Sequence, residues 1–376
     1  MTGLVDELRQ WVEGEVGSPV VGAARLGKGA SRRTWSVELD DGRTVVLRED
    51  TGTGPVAGTP LTLAREADVY RALTPPADFR ASTSNYRHLT HESRSGASAP
   101  VPVPTLLAAS PDGRALLFDL APGTDDLVSA SAEDRRAVAC DYGRCLGRLH
   151  GMALSEVDLG SLAVPDGENP TDVDIALWQS ILDARCGPGS TPVSAPALAW
   201  LAAHTPDAEG LTSLCHGDAG PGNFLYEEGA VTALLDWEFA HLGDPHDDLA
   251  WVAVRNQLLR RPLLLDAAYA GWHDACGFAV DVDRVEYYRA LVLVRMAISC
   301  DAALTWTGGQ TTPDTQVQAA LRPFLAPAIL EALRRAGCAE SFVDDLDGPA
   351  RATWDGSLVA AVLGDPSELD DLGAVL

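Results

Sequence analysis

Residues 214–223 read Leu-Cys-His-Gly-Asp-Ala-Gly-Pro-Gly-Asn, and residues 235–238 read Leu-Asp-Trp-Glu. Between them lie two short apolar runs, 224–226 and 231–235, separated by Glu227-Glu228-Gly229, a pattern that predicts a β-hairpin. Asn223 opens the first strand and Asp236 follows the second, so the turn should return both side chains to one open end. Hard oxygen donors placed side by side suit Mg2+, with phosphate oxygens and water completing its octahedron. Asp218 precedes Asn223 on the same loop, where its carboxylate could accept or orient a hydroxyl proton beside a metal-bound phosphate. One loop aspartate for the nucleophile, with an asparagine and a second aspartate for the metal, is the layout of kinases, whose catalysis is mostly positioning and electrostatics. The competing reading of these residues is a bare turn in which His216 and Asp218 shape the loop and Asn223 caps a strand.

Other segments must position that loop. Residues 20–49 carry apolar runs broken by Gly27-Lys28-Gly29 and by Asp40-Asp41-Gly42, the latter a hairpin turn, and predict three antiparallel strands. Thr59-Pro60 predicts a helix start, with Leu63, Ala67, Tyr70 and Leu73 on one apolar face and Glu66 on the same helix. Residues 75–100, rich in Pro, Ser, Thr and Arg without periodicity, predict a long mobile loop. Two further strands are expected at 105–109 and 114–120, closed by Pro122-Gly123. From Ser131 the period becomes helical, with a capping-box-like start and Val138, Tyr142, Cys145, Leu146 and Leu149 on one face. More helices are expected at 172–185, 196–204, 249–260, 263–276, 282–304 and 314–336.

The H-G-D-x4-N and D-W-E segments, with the run Gly243-Asp244-Pro245-His246-Asp247-Asp248-Leu249-Ala250, resemble the aminoglycoside phosphotransferase and choline kinase family, small-molecule kinases with a protein-kinase-like fold. Weaker resemblance extends over residues 20–336. It implies an α+β bilobal fold: a small antiparallel N-lobe over 1–121, a larger helical C-lobe over 122–336 carrying the catalytic loop and acceptor cleft, and an acidic extension over 337–376. By position it implies Asp218 as catalytic base, His216 as its supporting residue, and Asn223 and Asp236 as Mg2+ ligands. Leu26-Gly27-Lys28-Gly29-Ala30-Ser31 resembles the family's nucleotide loop, whose glycines let backbone N–H groups approach phosphates. Gly27, Lys28, Gly29 and Ser31 are therefore expected at the ATP or GTP phosphates. Where the family has a phosphate-holding lysine paired with a helix glutamate, this chain has Arg48 and Glu66, and arginine is a bulkier, bidentate cation. Residues 117–123 resemble the hinge that meets adenine, with Asp119 to Ala121 as the contacts. The resemblance also places His150 beneath the catalytic loop, and Asp248 reads as a structural hydrogen-bond acceptor.

Composition narrows the partners. The 376 residues carry 28 basic and 54 acidic side chains, a formal net charge of −26, which disfavours a nucleic-acid partner. A cationic small molecule or a metal-chelated ligand is easier to accommodate. Seven scattered cysteines without a C-x-x-C pair point to neither a disulfide framework nor a zinc site, and fit reduced thiols in the cytoplasm. The amino terminus reads as an amphipathic helix rather than a signal peptide, and no apolar run reaches the roughly 18 residues of a membrane span. The function expected is Mg2+-dependent transfer of the ATP or GTP γ-phosphoryl group to a hydroxyl of a small molecule: an amino alcohol such as an aminoglycoside, a sugar or a hydroxy acid. Two rivals are a nucleotide-binding pseudokinase or regulatory module, motivated by Arg48 and the irregular glycine loop, and a hydrolase using the His and Asp groups around Asp236. Glu238, His241, Asp244 and His246 could mimic a zinc cluster but have the wrong spacing for one.

Overall fold

The structure, a computed structural model, describes residues 4–26, 32–52, 54, 56–74, 100–160, 162, 164, 167–186, 192–208, 210–259, 263–308 and 315–350. Period-2 alternation organises the first part of the chain. Strands β1 (Val20–Leu26), β2 (Arg33–Leu39), β3 (Thr44–Glu49), β4 (Leu106–Ala109) and β5 (Ala115–Asp119) form one antiparallel sheet in the order β1-β2-β3-β5-β4. One parity, with Trp35, Val37, Val45, Leu47 and Leu117, packs in a core with Leu4 and with Val12 of helix α1 (Asp6–Val16). The opposite parity, with Leu116 and Phe118, packs with α2 (Leu63–Leu73) in a core that continues into the helical part. Arg48 shares parity with Val46, so the pleat places it on the α2 side of the sheet, where Glu66 meets it.

The five strands and the α2 helix match expectation, with one boundary corrected. The helix begins at Leu63 rather than at Pro60: Thr62 caps it by accepting from the Arg65 amide at 3.3 Å, while Thr59 and Pro60 belong to the preceding turn. Residues 75–99, expected as a mobile loop, and residues 351–376 of the acidic extension lie outside the described residues.

The second part contains α3 (Ala132–His150), α4 (Pro170–Arg185), α5 (Ser194–Ala203), α6 (His246–Leu259), α7 (Leu265–Cys276), α8 (Val282–Trp306), α9 (Gln316–Arg335) and α10 (Glu340–Ala350). The expected Ser131 cap is made, its hydroxyl accepting from the Asp134 amide at 3.0 Å. Helices α3 and α7 touch backbone to backbone. A Cβ on Gly143 would lie 1.8 Å from the Ala268 carbonyl oxygen, so only glycine permits this approach. Among the described residues, no helix is long and apolar enough to cross a membrane.

Two small sheets frame the loop singled out above. The expected hairpin is β7 (Phe224–Glu227) with β8 (Ala230–Leu234), pinned to α3 by Asp141, which accepts from the Val231 amide at 2.8 Å. The other pair, β6 (Ser213–Cys215) with β9 (His241–Gly243), was not expected. Three residues are too few to show alternation, and the partners are far apart in sequence. This pair closes the chain around the hairpin, and its neighbourhood is held by buried ions: Arg295 of α8 donates to Asp174 of α4 at 2.5 Å and to Asp247 of α6 at 2.7 Å, and Asp247 also meets His241 at 2.9 Å. Helix α6 starts three residues before the expected 249, and Asp247 and Asp248 lie in its first turn, where acidic side chains complement the helix dipole.

Candidate active site

The loop leaving β6 is hung from α6. Asp248 accepts from the His216 amide at 2.7 Å and the Gly217 amide at 2.9 Å, and its Oδ2 lies 2.9 Å from His150 Nε2. Because Trp272 Nε1 donates to His150 Nδ1, the imidazole proton sits on Nε2 and points at Asp248. Burial alone would raise the Asp248 carboxyl, but the His150 and His216 donors outweigh it and hold it below the usual carboxylate range. The placement expected for His150 and Asp248 is what the structure has. Gly217 takes φ 78°, and a Cβ there would lie 2.1 Å from the Phe239 carbonyl oxygen. Gly217→Ala should therefore cost about 2–4 kcal/mol of unfolding free energy from strain and displacement. Denaturant unfolding measures this, and an unchanged midpoint would contradict the loop conformation.

His216 is a brace. Its Nε2 lies 2.8 Å from the Leu235 carbonyl oxygen, and its Nδ1 accepts from the Asp218 amide at 3.3 Å. Burial pushes its pKa down, so the ring is neutral, and these two partners require the Nε2-protonated tautomer. The ring thereby ties the residue before Asp236 to the residue that carries the candidate base. Across the hairpin base, the Leu235 amide donates to the Asn223 carbonyl at 2.8 Å, which sets Asn223 beside the segment leading to Asp236.

Asp218 is buried and crowded by donors. Asn223 Nδ2 lies 2.6 Å from Asp218 Oδ2 and 2.8 Å from the Asp218 carbonyl oxygen, and Arg255 Nη1 lies 2.6 and 2.7 Å from the two carboxylate oxygens. Burial raises the Asp218 carboxyl, against the Arg255 charge. Asp236, in the left-handed region at φ 67°, accepts from Arg48 Nη2 at 2.5 Å. The same guanidinium lies 3.1 Å from Glu66 through Nε and 3.6 Å from Glu238. Three carboxylates thus surround one guanidinium. Burial raises Glu66 despite Arg48, and pushes Glu238 up to about 8 with Asp236 adding to it. At Asp236 burial acts in the same direction, but Arg48 overcomes it and the carboxyl is held low.

The structure therefore brings together Arg48, Glu66 and Asp236 in one cluster, and His216, Asp218 and Asn223 in another, with the His216 ring and the hairpin base joining the two. Among the described residues, Glu238 Oε2 is buried without a hydrogen-bond donor, and Glu66, Asp236 and Glu238 together carry more negative charge than the Arg48 guanidinium offsets; oxygen donors of this kind are the ones a divalent cation would take. Asp119 ends β5 opposite Val45, three residues along the register from the Arg48 and Leu116 pair, or about 10 Å at roughly 3.3 Å per residue. Its amide donates to Thr105 and its side chain is exposed, while Ala121 follows in the segment leading to the hairpin. Gly27, Lys28, Gly29 and Ser31 lie outside the described residues. The residues weighed for zinc make separate contacts: Glu238 faces Arg48, His241 faces Asp247, and Asp244 faces His246.

Sequence reasoning missed Arg255 altogether and weighed Glu238 only as a zinc ligand. No motif marks the arginine. One signal was available: Arg255 follows Asp248 by seven residues, two helical turns, and so shares the α6 face that anchors the loop.

A family model described as the phosphotransferase enzyme family matches residues 22–287. Mouse acyl-CoA dehydrogenase family member 10 is 25% identical over 308 residues, 78% of this chain but 26% of that protein, so the chain spans about a quarter of this curated relative's length. Among solved structures, a candidate aminoglycoside phosphotransferase of Ralstonia eutropha JMP134 superposes with a TM-score of 0.58 at 21% identity, covering 88% of this chain and 97% of that one. A thermostable mutant of aminoglycoside phosphotransferase APH(4)-Ia, in ternary complex with ADP and hygromycin B, gives 0.51 at 18% identity over 87% of this chain and 98% of that one. At these identities the structural likeness establishes the fold, which is the α+β kinase-like architecture anticipated from the motifs.

Proposed function

The chain belongs to the phosphotransferase enzyme family, and from that premise we propose that it is a small-molecule kinase that moves the γ-phosphoryl group of ATP or GTP to a hydroxyl of a small molecule with the help of Mg2+. The observation that carries this reading is the joining of two clusters, Asp218 with Asn223 and Asp236 with Arg48 and Glu66, by the His216 brace. On this reading the acceptor hydroxyl approaches Asp218, its oxygen bonds to the γ-phosphorus, and the bond to the β-phosphate oxygen breaks with the nucleoside diphosphate as leaving group. Asp218 orients the hydroxyl and takes its proton, a task suited to a carboxyl raised by burial. Asn223 and Asp236 would hold Mg2+, which when bound neutralises charge on the β- and γ-phosphate oxygens. Arg48, kept aligned by Glu66, turns its remaining donors to the phosphates, and the residues from Asp119 to Ala121 meet the base. Gly27, Lys28, Gly29 and Ser31 are assigned to the phosphate loop.

The acceptor class is an amino alcohol such as an aminoglycoside, a sugar or a hydroxy acid, and the net charge of −26 favours acceptors that carry amines. The lobes divide near residue 121, with 337–376 as an extension. Mg-ATP or Mg-GTP at about a hundred times its Kd should stabilise the protein by roughly 2.7 kcal/mol. Asp236→Ala should abolish that metal-dependent thermal shift, and an equal shift in the variant would remove Asp236 from the metal site. Acceptors are then screened for the mass gain of one phosphoryl group. The second reading, a nucleotide-binding module without transfer, is motivated by the Arg48 guanidinium closed on Asp236; binding of Mg-nucleotide with no turnover on any acceptor would favour it.

A further inference from the structure

The Arg255 side chain reaches from α6 into the loop between β6 and β7 and spends every donor there. Its Nε–H donates to the Pro221 carbonyl at 3.2 Å, and Nη2 to the same oxygen at 3.0 Å and to Asn223 Oδ1 at 3.2 Å. Nη1 donates to both oxygens of Asp218 at 2.6 and 2.7 Å. A guanidinium has five N–H donors, and these five contacts account for them. Asn223 completes the ring by donating to Asp218. We infer that Arg255 is a positioning residue that locks the Asp218 carboxylate and the Asn223 amide into one rigid unit, a role that rests on the functions proposed above for those two residues.

The geometry separates this role from phosphate binding. With its donors engaged within the loop, Arg255 acts on Asp218 and Asn223 rather than on the nucleotide. Asp248 holds the loop backbone and Arg255, two turns along the same helix, holds its side chains. Lysine cannot substitute fully, because three donors on a flexible stem do not reproduce a planar fork serving Asp218, Pro221 and Asn223 together. Loss of the fork lets the carboxylate and amide rotate independently, and a misplacement of about 1 Å costs on the order of a hundredfold in rate.

The test uses the full chain with Arg255→Ala and Arg255→Lys. Hydrogen exchange of peptides spanning 215–224 should quicken about tenfold in the alanine variant, while the five-stranded sheet keeps its protection. Turnover should fall about a hundredfold with nucleotide KM within threefold, the lysine variant should lie between, and millimolar guanidinium should restore part of the alanine variant's turnover. If the alanine variant does not fold, the lysine variant is read against the same two criteria. Unchanged exchange over 215–224 overturns the inference, as does full turnover in a variant whose loop has loosened. A KM for nucleotide that rises in step with the loss of kcat while exchange over 215–224 stays unchanged would also overturn it, by placing Arg255 on the nucleotide. Should the wild type transfer phosphate to no acceptor, the proposed function fails by itself, and the exchange experiment still decides whether Arg255 locks the loop.

Discussion

Asp218→Asn is expected to lower turnover by about a thousandfold while leaving Mg-nucleotide affinity within threefold. A positioned general base contributes roughly 10² to 10⁴ in rate, and the hydroxyl proton has no comparable acceptor once the carboxylate is an amide. The choice of asparagine matters. With its amide oxygen in the place of Oδ2 it still accepts from Arg255 and from Asn223, so the partly buried guanidinium keeps a partner although the amide NH2 replaces the acceptor at Oδ1. Alanine would leave that cation facing a cavity and mix a folding defect into the measurement. Nucleotide affinity should survive because the residues assigned to the phosphates and metal, Arg48, Glu66, Asn223 and Asp236, are untouched. Steady-state kinetics with calorimetric nucleotide titration separates the two quantities, and full turnover in the variant would refute the role of Asp218.

Arg48→Met should do the reverse, abolishing detectable nucleotide binding and lowering the unfolding free energy by about 3–5 kcal/mol. The stability loss follows from what the arginine leaves behind: Glu66, Asp236 and Glu238, all close to one guanidinium, would lose their common counterion. Among the described residues, Arg32 also lowers Glu66 and Glu238 but is already in contact with Asp50 and the Leu61 carbonyl. The sign of the pH dependence follows. Burial already raises Glu66, and Glu238 to about 8 in the wild type, and removing Arg48 takes away the cation that lowers each of them and Asp236. A carboxyl raised in the folded state contributes stability that is full below its unfolded pKa and is lost as pH rises through the folded value. The deficit of Arg48→Met relative to wild type should therefore be larger at pH 8 than at pH 6. Thermal unfolding of both proteins at the two pH values, without nucleotide or metal, measures this, and a deficit that shrinks as pH rises would contradict the three-carboxylate cluster.

Much of this arrangement was legible in the chain. Alternation over 20–49 and 105–120 marked the strands, and the two apolar runs around Glu227-Glu228-Gly229 marked the hairpin that sets the Leu235 amide on the Asn223 carbonyl. Ser131 announced the start of α3. The boundary errors have local causes: Thr59-Pro60 and Thr62 offer competing starts for α2, and Asp247 and Asp248 read as loop residues until the helix they begin is seen.

What the sequence by itself determined is which residue types stand at which strand and loop positions: Arg48 on the same strand parity as Val46, a hairpin that returns the chain from Asn223 to Asp236, and a serine cap ahead of α3. Those properties depend on nearest neighbours and on the periods of strand and helix, which any short window displays. The tertiary structure alone decided that Arg48 faces Glu66, Asp236 and Glu238 together, that Arg255 reaches Asp218, and that β6 pairs with β9. Each of these joins residues distant in the chain, as with Arg48 and Asp236. A charge or a guanidinium fork carries no periodic mark of its partner, so only the packing of the helices and sheets brings the two within bonding distance.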